Sequence, residues 1–177
     1  MSIEATGNKD NYYLEIDIEK DMGIDFPLAE DAKREIGLAI IEKIIERTRN
    51  KKQSLNGGSF TNYSEAYAKK KGVNVTDVNL TLFGDMLNSL SITQIIGNKI
   101  KIESDDRFQT PKIFNHDTGD TLPKRQFFGV LNSELNEIKR NKIKIIENSS
   151  GADKELKKQN SLVDAIAKSI IIGLRFD

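Results

Sequence analysis

The sequence predicts an α+β fold in which helices pack on a small antiparallel sheet. Three patterns indicate it: an alternating run near the N-terminus, a long helical repeat of isoleucines after it, and two β-branched segments joined by Gly97-Asn98. Apolar residues recur every two positions on a strand and every three or four on a helix, so these patterns predict strand, helix and hairpin. At 177 residues the chain suits one domain, predicted over 1–177.

The first half of the chain is predicted to hold a strand and the long N-terminal helix. Residues 12–20 alternate between apolar and polar side chains, which predicts a half-buried edge strand. Residues 27–50 follow a helical repeat, with Asp25 as the expected N-cap and Pro27 in the first turn. The segments 1–10 and 51–62 are polar, so both are predicted to be flexible.

The second half is predicted to combine helices with the hairpin. Ser64 can cap a helix start and Gly72 can end that helix. Gly97 and Asn98 accept positive φ at low cost, which suits the turn of a hairpin. The expected elements are helices over 63–72 and 82–89, a hairpin over 91–103, an irregular proline-containing loop over 110–123, C-terminal helices over 131–146 and 153–169, and a strand over 170–176.

The charge balance favours a protein that works by touching other proteins. Lys plus Arg number 27 and Asp plus Glu number 27, so no net charge attracts nucleic acid or an anionic membrane. Apolar residues make up only 37% and charged residues 31%, which implies a large surface relative to the core. We therefore expect a protomer that completes its burial against neighbouring subunits.

Missing residue types and motifs narrow the possible chemistry. Without cysteine, the chain has no disulfide, thiolate metal site or thiol nucleophile. The N-terminus lacks the apolar run of a signal peptide, and no apolar stretch is long enough to span a bilayer. A P-loop and a Gly-x-Ser-x-Gly elbow are also absent. We expect a protein made in the cytoplasm, with no catalytic residue, no metal and no cofactor.

The single histidine offers an alternative function. His116 stands beside Asp117 and close to Asp120, a set that suits acid–base chemistry or a hard cation and would indicate a small metal-dependent hydrolase or nuclease. Against this, a lone histidine in a polar loop more often only forms hydrogen bonds. The run Lys69–Lys71 raises a further alternative, contact with nucleic-acid phosphates, although such runs are usually solvated helix faces.

Two segments carry a resemblance to a known family. The first runs from Tyr63 to Leu90, where Tyr67, Lys69–Lys71 and Gly72 precede residues 80–90, which read LTLFGDMLNSL. In the second, residues 113–119 read IFNHDTG and are followed by LPKRQFFG. Together these segments resemble the virion morphogenesis, or tail completion, proteins of tailed bacteriophages, which are related to neck and tail-terminator components.

The resemblance implies a structural role in a phage particle. It implies a subunit of a ring at the head–tail junction that completes or caps the tail. The implied partners are copies of the same chain and neck, tail-tube or connector subunits, with nucleic acid met only as DNA passing through. The motif positions, which are possible interface residues, are Gly84, Met86, Leu87, Ser89, His116, Gly119, Pro123, Arg125, Phe127, Phe128 and Gly129.

Several of these residues suggest physical roles of their own. Arg125 can pair with a carboxylate in a bidentate manner. Phe127 and Phe128 supply aromatic area for either the core or an interface. Gly129 is expected to open the next helix.

Overall fold

The computed structural model describes residues 1–80 and 85–142. The chain divides into two compact units, Met1–Lys139 and Arg140–Asp177, and the fold below is that of the first. Gly84, the start of the predicted helix over 82–89, the end of the helix over 131–146, the helix over 153–169 and the strand over 170–176 lie outside the described residues.

The first unit combines strands and helices and confirms the predicted α+β class. Its strands are β1 (Ser2–Glu4), β2 (Thr6–Asn8), β3 (Asn11–Asp17), β4 (Leu90–Ile96), β5 (Lys99–Ser104) and β6 (Gly129–Leu131). Its helices are α1 (Ile18–Met22), α2 (Glu30–Ile45) with a π-helical turn (Glu46–Asn50), α3 (Glu65–Lys71), α4 (Asp85–Asn88) and α5 (Thr110–Thr118). A sixth helix, α6, begins at residue 132.

A four-stranded antiparallel sheet in the order β2-β3-β5-β4 carries the core. Strand β3 lies between β2 and β5, so the prediction of an edge strand is wrong. The strand also ends at Asp17 and not at Lys20, because the Asp17 carboxylate accepts hydrogen bonds from the backbone N–H groups of Glu19 and Lys20 and caps α1. The predicted β4–β5 hairpin is confirmed, with Gly97 at φ 56° in its turn.

Helix α2 covers one face of the sheet along β4 and β5. It begins at Glu30 with Ala29 at the N-cap, so the expected capping role of Asp25 is wrong. The isoleucines at its contact face, such as Ile36 and Ile40, are fully buried, whereas Leu38 is half exposed. Its last turn widens into the π-helix, which buries Arg47 and Thr48. A π-helical turn contains an extra residue, which rotates the side chains after it relative to the rest of the helix.

Residues 110–118 correct the predicted irregular loop, because they form α5. Pro111 lies in the first turn, where its missing N–H group costs no helical hydrogen bond. Gly119 ends the helix at φ 82°, a left-handed conformation that glycine adopts without strain. Pro111 and Gly119, which suggested a loop, therefore mark the start and the end of a helix.

Both segments that the sequence predicts to be flexible make defined contacts. Strand β1 pairs with β6, and β2 pairs with β3. In the second segment, Leu55 and Phe60 are buried. Their mobility stays a prediction. In the described part of the chain, no helix combines the length and the apolar character needed to cross a membrane.

Candidate functional site

Asp117, at the end of α5, is the centre of a buried hydrogen-bond network. Its Oδ2 accepts from the Tyr12 hydroxyl at 2.6 Å, and its Oδ1 accepts from the backbone N–H groups of Phe127 and Phe128 at 2.7 and 2.8 Å. The residue is only 2% exposed. Burial raises the pKa of the carboxyl, while the three donors oppose that shift. The carboxylate thus joins β3, α5 and the segment before β6.

Aromatic rings surround this network and form part of the core. The Tyr12 ring meets Phe114 edge-on at 5.3 Å between centroids and lies 5.9 Å from Phe128. Phe127 and Phe128 are fully buried, so they serve the core of the described unit. Burial, with the negative charge of Asp117 as the second cause, raises the pKa of Tyr12 far above its ordinary value.

Gly129 begins β6 and not a helix, which corrects the sequence prediction. A Cβ atom at this position would lie 2.6 Å from the carbonyl oxygen of Ile3 and 2.6 Å from Cδ2 of Leu55. The backbone of β1 approaches too closely for any side chain here. Glycine is therefore required by the pairing of the N-terminal strand with β6.

Arg125 is buried, and it binds backbone carbonyl groups where a carboxylate was expected. Its Nε donates to the Thr61 oxygen at 2.8 Å and its Nη2 to the Asn62 oxygen at 3.0 Å. The guanidinium lies 5.2 Å from the centroid of the Tyr63 ring. No carboxylate among residues 1–80 and 85–142 pairs with it. The carboxylate-pairing prediction is thus wrong within the described chain, and Arg125 anchors the 61–62 loop.

A pocket of about 310 Å³, which we call the Tyr63–Arg125 pocket, opens between α3, the end of α5 and the loop after it. Its aromatic and aliphatic lining comes from Tyr63, Tyr67, Leu80, Leu122 and Pro123. Its polar lining comes from Ser64, His116 and Arg125. The motif residues Pro123 and Arg125 therefore lie at the same pocket, one exposed and one buried.

His116 is the one residue of the acid–base alternative that lines the pocket. Burial, followed by the positive charge of Arg125, lowers its pKa to about 4, so the imidazole is neutral at pH 7. Its Nδ1 is buried and has no hydrogen-bond partner in the described part of the chain. The Asp117 carboxylate accepts its hydrogen bonds from Tyr12 and from the backbone before β6, and Asp120 is exposed. Neither residue lines the pocket.

The first motif segment packs beside the hairpin. Met86 and Leu87 are buried on α4. Ser89 is also buried, donating to the Met86 carbonyl oxygen at 3.0 Å and accepting from the Ser104 hydroxyl at 2.7 Å. These residues fix the start of β4 and do not form a free surface in the described unit.

The run Lys69–Lys71 forms the last turn of α3, whose predicted Ser64 and Gly72 caps are confirmed. The Lys71 Nζ donates to the Tyr63 hydroxyl at 2.9 Å and to Asn79 at 2.7 Å. Lys71 thus holds the hydroxyl of Tyr63, a residue that lines the pocket, while Lys69 and Lys70 are exposed.

Sequence reasoning missed an ion pair between the buried Arg47 and the partly buried Glu134. The Arg47 Nη1 lies 2.5 Å from the Glu134 carboxylate, and its Nη2 donates to the carbonyl oxygens of Phe127 and Gly129 at 2.8 and 2.7 Å. Glu134 also accepts from the Leu131 backbone N–H at 2.9 Å, next to the start of α6. The signal that could have found the pair was position, because Arg47 comes three residues after Ile44 on the apolar face of α2.

In residues 1–80 and 85–142, no group of three or more His, Asp or Glu side chains is placed to hold a metal ion. The histidine and the two aspartates of the alternative site do not converge on one point. Comparisons of the chain with protein-family models, with curated proteins and with solved structures found no match.

Proposed function

We propose that the protein is a structural subunit of a tailed-phage particle. In this proposal it forms part of a ring at the head–tail junction and completes or caps the tail. Its partners are further copies of itself and the neck, tail-tube or connector subunits next to it. It acts through its shape and surface, and no reactive group takes part.

The observation that supports this proposal is that the buried polar groups of the motif form hydrogen bonds within the fold. Asp117 accepts three hydrogen bonds from within the fold, and Arg125 donates to two loop carbonyls. Groups held in this way fix the geometry of a scaffold, because leaving any of them unpaired in the interior costs free energy. The resemblance to tail completion proteins therefore falls on residues that set the fold.

A ring also needs surfaces that fit neighbouring subunits. Exposed apolar side chains lie in three separate parts of the chain: Leu38 on α2 is 50% exposed, Ile96 at the end of β4 is 63% exposed, and Phe108 in the turn before α5 is 66% exposed. A subunit of a closed ring uses two different patches, one for each neighbour. Apolar side chains spread over several elements suit such a two-sided contact.

A complementation experiment tests the proposal in the particle system that encodes the chain. Deleting the gene should leave heads and tails that do not join, as counted by electron microscopy. Supplying the wild-type chain should restore joined particles, and the chain should be found in them. Normal particles in the deletion strain would refute the proposal.

The hydrolase or nuclease alternative is favoured by one observation, the neutral His116 that lines a pocket. His116→Ala separates the two functions in the same complementation assay. Under the structural proposal this variant restores joined particles as well as the wild type does. If the variant chain folds and a nuclease or hydrolase activity of the wild type disappears with the substitution, the result supports the catalytic function.

A further inference from the structure

The Tyr63–Arg125 pocket has a chemical bias toward one kind of ligand. Its walls are mostly aromatic and aliphatic, and no acidic side chain from residues 1–80 or 85–142 lines it. Among the described residues that line it, the only formal charge at pH 7 is the guanidinium of Arg125. A ligand that matches these walls has an apolar body and a negative charge.

In the described part of the chain, no carboxylate pairs with the positively charged guanidinium of Arg125. Its two hydrogen bonds go to neutral carbonyl oxygens, Thr61 O and Asn62 O, and the residue is 5% exposed. A buried cation without a counter-charge is unfavourable, so an anion reaching it gains both Coulomb energy and charge-assisted hydrogen bonds. These bonds use Nε and Nη2, so the N–H groups of Nη1 have no hydrogen-bond partner among the described residues.

Two further donors stand at the pocket. The Ser64 oxygen accepts from the backbone N–H of Tyr67 at 3.3 Å, which leaves the Ser64 hydroxyl proton free to donate. Tyr67 is 39% exposed, and its hydroxyl has no partner in the described part of the chain. Both hydroxyls can therefore donate to an anionic oxygen.

From this lining we propose that the pocket binds a small free carboxylic acid with an aromatic or branched apolar body, whose carboxylate meets Arg125. The volume of about 310 Å³ lies at the lower end of small-molecule pockets, which suits one such molecule. This site is independent of the proposed structural function, because it rests on the pocket lining alone.

Titration of the full chain with phenylacetate, followed by calorimetry and by NMR shifts of pocket amides, tests the charge requirement. Phenylacetamide has the same ring and no charge, and it is the matched probe. One charge-assisted hydrogen bond corresponds to roughly tenfold or more in affinity, so phenylacetate should bind at least about tenfold more tightly. Equal binding of the two probes would overturn the proposal.

Two variants at Ser64 test the site without disturbing Arg125, whose removal endangers the fold. Ser64 caps α3, and both Asp and Asn are good N-caps, so each variant keeps the helix start. Ser64→Asp adds a carboxylate to the lining and should weaken phenylacetate binding at least about tenfold, while Ser64→Asn should stay within about threefold of wild type. Equal effects of the two substitutions would count against an anion site.

A short peptide ending in phenylalanine distinguishes the free acid from the end of a protein chain. We expect the peptide to bind more weakly than phenylacetate, because its backbone exceeds the small pocket. Tighter binding of the peptide, lost on amidation of its C-terminus, would overturn the free-acid assignment.

Discussion

Asp117 shows how a residue that suggests catalysis from the sequence can instead be used by the fold. Its two oxygens accept from one hydroxyl and two backbone N–H groups, none of which faces the Tyr63–Arg125 pocket. The network therefore fixes where the loop from Gly119 to Phe128 returns to the sheet. A change at this residue should appear as lost stability before any other effect.

Asp117→Ala should lower the free energy of unfolding by about 3 kcal/mol or more, because it leaves two N–H groups and a hydroxyl unpaired at a cost of at least about 1 kcal/mol each. Asp117→Asn keeps one oxygen for the N–H groups and should cost about 1–2 kcal/mol. Urea denaturation followed by circular dichroism measures both. The exposed Asp120→Ala is the control and should change stability by less than about 0.5 kcal/mol; equal losses at the two positions would contradict the network.

His116 should make the fold sensitive to mild acid. Its pKa is about 4 in the folded chain and about 6.5 when unfolded, so below about pH 6.5 the unfolded chain binds a proton that the folded chain does not. Stability is therefore lost as pH falls from about 6.5 toward 4, by up to roughly 3 kcal/mol. The raised pKa of Asp117 acts with the opposite sign, since the folded chain then takes up its proton first.

Comparing wild type with His116→Gln isolates the histidine from Asp117. We expect the stability difference to move in favour of the glutamine variant between pH 7 and pH 4.5, as measured by urea denaturation at each pH. A difference that does not vary with pH would show that His116 is not held neutral by burial.

At the scale of elements, α2 lies very close to the sheet at Gly37. A Cβ atom there would lie 2.6 Å from Cδ1 of Ile92 and 3.2 Å from Cγ2 of Ile100. Real side-chain contacts are longer, so the absence of a side chain sets the distance between helix and hairpin. Glycine in a helix interior otherwise costs about 1 kcal/mol relative to alanine.

Gly37→Ala should lower stability by about 1–2 kcal/mol in spite of the better helix propensity, because the new methyl group displaces Ile92. Ile92→Val removes the nearest atom, so the double variant should be more stable than the sum of the single losses by about 0.5–1 kcal/mol. Chemical denaturation of the three variants gives this coupling. Strict additivity would mean that the helix simply moves away from the sheet.

At the scale of the whole described unit, the N-terminal strand meets a distant part of the chain. Among the described strands β1 pairs only with β6, and the Asn132 backbone N–H donates to the Met1 carbonyl oxygen at 3.1 Å. The pairing places β1 beside the segment that Asp117 and Arg47 hold. The residues of β1 therefore take part in the fold, although the polar sequence of segment 1–10 predicts a flexible tail.

Hydrogen exchange measured by mass spectrometry tests this pairing. Amides of residues 2–8 should exchange more slowly than in an unstructured peptide, because their strands are hydrogen-bonded. Deleting residues 1–4 should speed exchange in residues 129–132 and leave the β4–β5 hairpin unchanged. Unprotected exchange of the N-terminal residues would instead support the flexible segment that the sequence predicts.

Elements with a local signal could be predicted from the order of the amino acids. Four such signals depend only on neighbours within a few residues. They are the alternation before Asp17, the isoleucine repeat of α2, the Ser64 and Gly72 caps, and the Gly97-Asn98 turn. Helix α5 had a local signal too, since Pro111 near its start and Gly119 after its end are the usual positions of these residues. When Pro111 and Gly119 are read as helix breakers they predict a loop, which places His116 and Asp117 on the wrong kind of element.

The roles of the polar residues, in contrast, depend on the folded chain. Tyr12 and Asp117 are separated by 105 residues, and Arg47 reaches Glu134 across 87. Because charged and polar side chains pair with whichever partner the fold brings near, periodicity cannot assign them. The same folding places His116 and Arg125 at one pocket and turns Asp117 away from it, which the spacing of residues 116–125 alone does not reveal.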